Sequence, residues 1–145
     1  MSAVVECKAP ARRNTAPGPS IQATAVQPMG SRGQLGQCRG LHLLQTHSSL
    51  FGDWIAAHDV IEVDFDRRSI KGDAEYLIAF RHTDDYSWYG VRRFQFRLDG
   101  ELWIADPTIH GEGQTWRIVT PEMLANIEVF GMVREVYKPL SKLRR

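Results

Sequence analysis

The residue types that most often do chemistry are thinly spread in this chain. Five histidines, His42, His47, His58, His82 and His110, show neither the HExxH pattern nor any paired spacing, so scattered surface histidines are expected and no metal. Asp64 and Asp66 form a DxD, but it closes a β-branched run, where acids commonly mark a turn. Gly111-Glu112-Gly113 lacks the following helix that a phosphate loop needs. Cys7 and Cys38 are too few for a four-ligand zinc site or a disulfide framework, and a reducing cytoplasm is the simplest setting. Aromatic residues interleave with Arg92, Arg93 and Arg97, the mixture with which single-strand nucleic-acid platforms stack bases and hold phosphates. Alternation along a half-buried strand yields the same pattern with no ligand. No cofactor is implied.

The elements that must position these residues read as short strands. Val60 to Asp64 is β-branched and ends at Asp66-Arg67-Arg68-Ser69; Lys71-Gly72-Asp73 is a turn signal, and Glu75 to Phe80 is the next strand. Val91 to Leu98 alternates, with Arg92, Phe94, Phe96 and Leu98 on one face and Arg93, Gln95 and Arg97 on the other. Asp99-Gly100 suits a two-residue hairpin turn, which sets Trp103 opposite Phe96 on the returning strand, Glu101 to Ala105. Trp116 to Val119 is a further strand, and Thr120-Pro121-Glu122 is a helix start with a capping hydroxyl and a proline in the first turn. Ile127 to Tyr137 is a long last strand, with a bulge or bend expected at Gly131.

Charge divides the chain. Residues 1–40 carry Lys8, Arg12, Arg13, Arg32 and Arg39 against Glu6 alone, with four of the seven prolines, five of the twelve glycines and no Phe, Tyr or Trp. Such a segment buries too little apolar area to offset its conformational entropy, so 1–40 reads as a disordered, low-complexity tail and neither cysteine as a core residue. An organelle transit peptide is the rival reading of the same basic stretch. Residues 41–145 read as one mainly β domain. The net charge of +1 over 145 residues leaves no whole-chain attraction for nucleic acid or anionic membrane. No apolar run is long enough to span a bilayer, and the start lacks the pattern of a secretory signal.

From Ser49 to Leu140 a series of pieces falls in a familiar order. Ser49-Leu50 is followed by Ile55-Ala56-Ala57-His58-Asp59 and the strand Val60-Ile61-Glu62-Val63-Asp64. Then come Lys71-Gly72-Asp73, Tyr76-Leu77-Ile78-Ala79-Phe80, Val91-Arg92-Arg93-Phe94 and Ile127-Glu128-Val129-Phe130-Gly131-Met132-Val133. The series resembles the C-terminal domain of LexA, UmuD and phage repressors, the S24 peptidase-like family. The resemblance implies a small antiparallel, β-clip-like domain. It implies a Ser–Lys dyad, in which a buried neutral lysine takes the serine proton, and dimerisation through the C-terminal strands.

The departures shape the functional reading. By the resemblance Ser49 is the nucleophile position, with Ser48 the register alternative, and Arg92 stands where the family has its lysine. Arginine keeps its charge in proteins and cannot act as a general base. Lys71, in a turn, is a poor substitute, and His58 replaces the family's turn glycine before Asp59. The family's Ala-Gly and Cys-Gly cleavage dipeptides are missing; Cys38-Arg39-Gly40 is the nearest stretch. No helix-turn-helix is visible in 1–40, so direct sequence-specific DNA binding is not expected. The expectation is a cytoplasmic, catalytically degenerate, S24-like domain with a regulatory or dimerisation role and a homodimer through Ile127 to Tyr137, with Arg92 donating to Ser49 or to Asp53. The alternatives are an active Ser49-dependent self-processing peptidase, and a small β-rich nucleic-acid-binding module.

Overall fold

The computed structural model describes residues 25–52, 54–81, 87–107 and 114–140. In chain order the elements are β1 (Val26–Pro28), α1 (Arg32–Gly36), β2 (Leu41–Gln45), β3 (Val60–Asp64), β4 (Ala74–Arg81), β5 (Ser87–Phe96), β6 (Leu102–Pro107), β7 (Gln114–Ile118), α2 (Pro121–Ala125) and β8 (Ile127–Tyr137). The eight strands form one sheet in the order β1-β2-β3-β8-β4-β5-β6-β7. The fold is mainly β, and the sheet is mixed: β1 and β2 run parallel while every other pair is antiparallel.

Apolar side chains from the two faces build two cores. The larger joins Leu44, Ile61, Phe65, Leu77, Val91 and Phe130 of the sheet region to Leu35, Phe51 and Ile55 from the connecting segments. The smaller holds Tyr76, Ile78, Phe94 and Ile104 on the other face, with Met123 of α2 packed against it. Thr120 caps α2 as its sequence forecasts, its hydroxyl accepting the Met123 N–H at 3.1 Å.

The long last strand is central rather than peripheral. Its first half, to Val133, pairs with β4, and its second half, from Met132, pairs with β3. A free edge running the length of Ile127–Tyr137 is therefore not what the fold presents. Past Val133 the β4 side of this strand has no ladder partner among the described residues. The register slips at Phe130, beside Gly131. A Cβ on Gly131 would lie 2.7 Å from the Asp64 carbonyl oxygen and 2.8 Å from Val63 Cγ1, so glycine lets β8 approach β3.

Two other expectations are corrected. The hairpin after β5 closes through Arg97 N–H to Glu101 O (2.9 Å), leaving a three-residue loop with Gly100 at φ 86°. The register moves by one, so Trp103 faces Gln95 instead of Phe96 and joins the face of Arg93. Phe96 and Leu98, forecast as apolar-face residues, are exposed.

The tail boundary also falls earlier than Leu41. Residues 25–40 hold β1 and a helix closed by a Ser31–Gln34 capping box. Leu35 and Cys38 are fully buried, and Cys38 is disulfide-bonded. Arg68 donates to the carbonyls of Gly36 and Cys38 at the end of α1, and Arg32 pairs with Glu128 at 2.9 Å. Composition averaged over 40 residues hid a short helix whose order comes from tertiary contacts. Burial, with Arg39 nearby, lowers the Arg68 pKa. Residues 1–24 lie outside the described residues.

Candidate functional site

The segment from Thr46 to Asp59 folds back on itself and docks against β5. Thr46 and Asp59 form its neck: Thr46 N–H donates to Asp59 O (2.8 Å) and His58 N–H to Thr46 O (2.8 Å). The Asp59 carboxylate, fully buried, accepts from Ala56 N–H (2.9 Å) and from the Lys138 ammonium. Lys138 also donates to the Trp54 carbonyl at 2.8 Å, so the residue after β8 ties the segment down. No local pattern points to this lysine, which lies 79 positions from Asp59. His58 adopts φ 73° at the place where the resemblance has glycine, a left-handed conformation that costs a side-chain-bearing residue free energy.

Ser49 is exposed on this segment, and its hydroxyl donates to the Gly52 carbonyl at 2.8 Å. The next residue makes the contact with β5: Leu50 O accepts from Val91 N–H (3.0 Å) and from Arg92 Nη1 (3.2 Å). The fold thus brings the Ser49–Leu50 backbone to Arg92 across 42 positions of sequence, while the hydrogen bonds of Ser49 Oγ and of the guanidinium run to other groups. Ser48 is exposed beside it, and Lys71 is exposed in the turn before β4. Asp53, a forecast partner of Arg92, lies outside the described residues.

Arg92 is held by several partners at once. Its Nε donates to Asp106 Oδ1 at 2.8 Å and its Nη1 to Val91 O at 2.8 Å as well as to Leu50 O. The guanidinium lies 4.8 Å from the Trp88 ring centroid and 5.7 Å from that of Phe51. Arg117 of β7 takes the other Asp106 oxygen at 2.9 Å, so one carboxylate bridges two arginines. Only 16% of the Arg92 side chain and 29% of Asp106 is exposed. A fixed, charged guanidinium donates hydrogen bonds and stabilises negative charge; it does not accept the serine proton.

The other face of β5 carries different chemistry. Arg93 pairs with Glu75 across the sheet. Arg97 lies 4.3 Å from the Trp103 ring centroid and 5.7 Å from that of Trp116. A groove of about 620 Å³ runs beside them, lined by Asp73, Glu75, Arg93, Gln95, Trp116 and Arg134 among others. Arg93 also lies 5.8 Å from the Phe51 ring centroid and 5.5 Å from that of Trp54, so Arg92 and Arg93 share the Phe51 ring while Arg97 stacks on other aromatics.

The remaining candidate residues have local roles. Asp64 accepts the Asp66 N–H on Oδ1 (3.0 Å) and pairs with Arg67 through Oδ2, while Asp66 Oδ1 accepts the Gly40 N–H (3.1 Å). His42 Nε2 is bonded to Arg39 O at 2.7 Å, and its ring packs edge-on to Phe65. His47 and His58 are exposed; His82, His110 and Gly111 to Gly113 lie outside the described residues. Among the described residues no three His, Cys, Asp or Glu gather as metal ligands, and no helix is long and apolar enough to cross a membrane. Comparison with protein-family models, curated proteins and solved structures returns no match.

Proposed function

We propose that the β domain, which begins by Val26, is an S24-like repressor C-terminal domain that has lost peptidase chemistry and acts through regulation or self-association. One observation supports the reading most: the Ser49–Leu50 backbone sits on Val91–Arg92, the segment where the resemblance puts the dyad base. A serine alcohol needs a base to become a nucleophile, and arginine supplies none. The protein incubated at alkaline pH is expected to remain intact and to resist labelling by a serine-reactive phosphonate. Cleavage or labelling that Ser49→Ala abolishes would make this an active, self-processing peptidase. The Cys38 disulfide is the observation that weighs against a reducing compartment.

Self-association through β8 is supported by the stretch past Val133, paired with β3 but with no ladder partner on its β4 side among the described residues, where Tyr137 is 49% exposed. Sedimentation at tens of micromolar, on the order of typical transient affinities, is expected to show a dimer that Tyr137→Lys weakens. A strict monomer there removes this part of the reading. Val133 is unsuitable as the probe, because it is buried between β3 and β4.

A second reading, binding of single-stranded nucleic acid, is favoured by the stacking of Arg97 on Trp103 and Trp116. Salt-dependent retention of single-stranded DNA that Arg97→Ala or Trp116→Ala abolishes would support it. Equal retention by these variants would set it aside.

A further inference from the structure

We propose that Asp106 is a positioning residue for the dyad place on β5: its carboxylate holds the Arg92 guanidinium and would keep a lysine put at position 92 charged, so exchanging Arg92 for lysine alone would not restore a base. The inference rests on the S24-like reading above, since only there does position 92 stand for a base.

The geometry is direct. Asp106 Oδ1 lies 2.8 Å from Arg92 Nε, at a place where little of either side chain meets water. A carboxylate that close favours the protonated form of a lysine strongly, by about 1 to 3 pH units in comparable pairs. Burial acts in the opposite direction, and it is what would make a lysine there neutral. The other groups around position 92 divide in the same way. The Leu50 carbonyl and the Trp88 ring favour a cation. Arg117 on β7 opposes one, but its charge is spent on the same carboxylate. Tyr76 on β4 is opposite in the ladder, and Arg93, next along β5, is engaged with Glu75. Removing the Asp106 charge therefore leaves burial and Arg117 acting in the same sense, both favouring a neutral amine.

The test compares Arg92→Lys with Arg92→Lys/Asp106→Asn, following the introduced lysine by side-chain NMR through a pH titration. Lys8, Lys71 and Lys142 serve as internal references. The midpoint is expected to fall by about one pH unit or more in the double variant. Equal midpoints overturn the proposal. Asp106→Ser replaces Asp106→Asn if the first double variant does not fold. Phosphonate labelling of the same proteins separates this inference from the functional reading. Labelling that follows the lysine midpoint and disappears with Ser49→Ala supports both. A shifted midpoint without labelling counts against the S24-like reading and leaves the role of Asp106 standing. Labelling with an unshifted midpoint does the reverse.

Discussion

Arg92 and Arg97 stand on one β-hairpin, and their surroundings give them opposite characters. Arg92 lies on the inner part of β5, bonded to a carboxylate and two carbonyls, with the Ser49 segment docked on it. Arg97 lies at the outer end, exposed, with its guanidinium on two indole rings and one bond to Gln95. Coulomb interactions are strong where water is excluded and weak where it is not. The inner place is therefore fixed by the fold, while the outer place remains accessible to a partner.

Glycine substitutions should give the widest contrast. Gly131→Ala forces a methyl group into the Asp64 carbonyl and Val63, and is expected to cost about 3 kcal/mol or more, because β3 cannot recede without breaking its pairing. Gly100→Ala at the outer turn has open space but a φ of 86°, and about 1 kcal/mol is expected from the left-handed backbone alone. Chemical denaturation of the two variants measures both. Equal losses would mean that the halves do not differ in packing as described.

The arginines come next. Arg92→Ala removes one of the two donors to the Leu50 carbonyl and one of the two arginines on Asp106, and a loss of about 2 kcal/mol is expected after allowing for partial exposure. Arg97→Ala is expected to change stability by no more than about 0.5 kcal/mol. A large loss from Arg97→Ala would show the outer end to be structural and would weaken its claim as a binding surface.

How much of this was legible in the sequence follows from the range of the interactions. Strands β3 and β8 were readable because β-branched runs and a glycine break are local signals, and β8 spans Ile127–Tyr137 as forecast. The α2 cap was readable for the same reason. The hairpin register was misread because Asp99-Gly100 suits a two-residue and a three-residue loop alike, and the difference moves every side chain to the other face. Ser49 and Arg92 could be named through the resemblance, but their partners could not. Asp106 is 14 positions from Arg92 and Lys138 is 79 from Asp59, and no local pattern announces such a pairing. Leu35 and Cys38 were missed because a composition average cannot see two buried residues in a polar stretch.

His58 offers a gain where the other changes cost. Its φ of 73° suits glycine, and its ring is exposed, so little packing is lost when it is removed. His58→Gly is expected to stabilise the fold by about 1 kcal/mol, offset in part by the greater freedom of glycine when unfolded. The effect belongs to the inner region and should leave the Arg97–Trp103 contact unchanged in tryptophan fluorescence. A loss of stability would mean that the His58 side chain holds the neck of the Ser49 segment.

A pH-dependent effect tests whether β5 also anchors the segment before α1. Tyr89 donates its phenolic proton to the Gly30 carbonyl at 3.1 Å, and burial raises its pKa above the ordinary 10.0. The folded chain therefore holds this proton more tightly than the unfolded chain does. The contribution to stability is fully present below the unfolded value and is lost as pH rises through the higher folded value. Tyr89→Phe removes the hydrogen bond and leaves the Gly30 carbonyl short of a donor, an expected cost of about 1 kcal/mol near neutral pH. Above pH 10.0 the wild-type protein should lose stability faster than the variant, so the two denaturation midpoints should converge as the solution becomes more alkaline. Parallel alkaline slopes would show that Tyr89 does not titrate with unfolding and would remove the pH dependence assigned to its bond with Gly30.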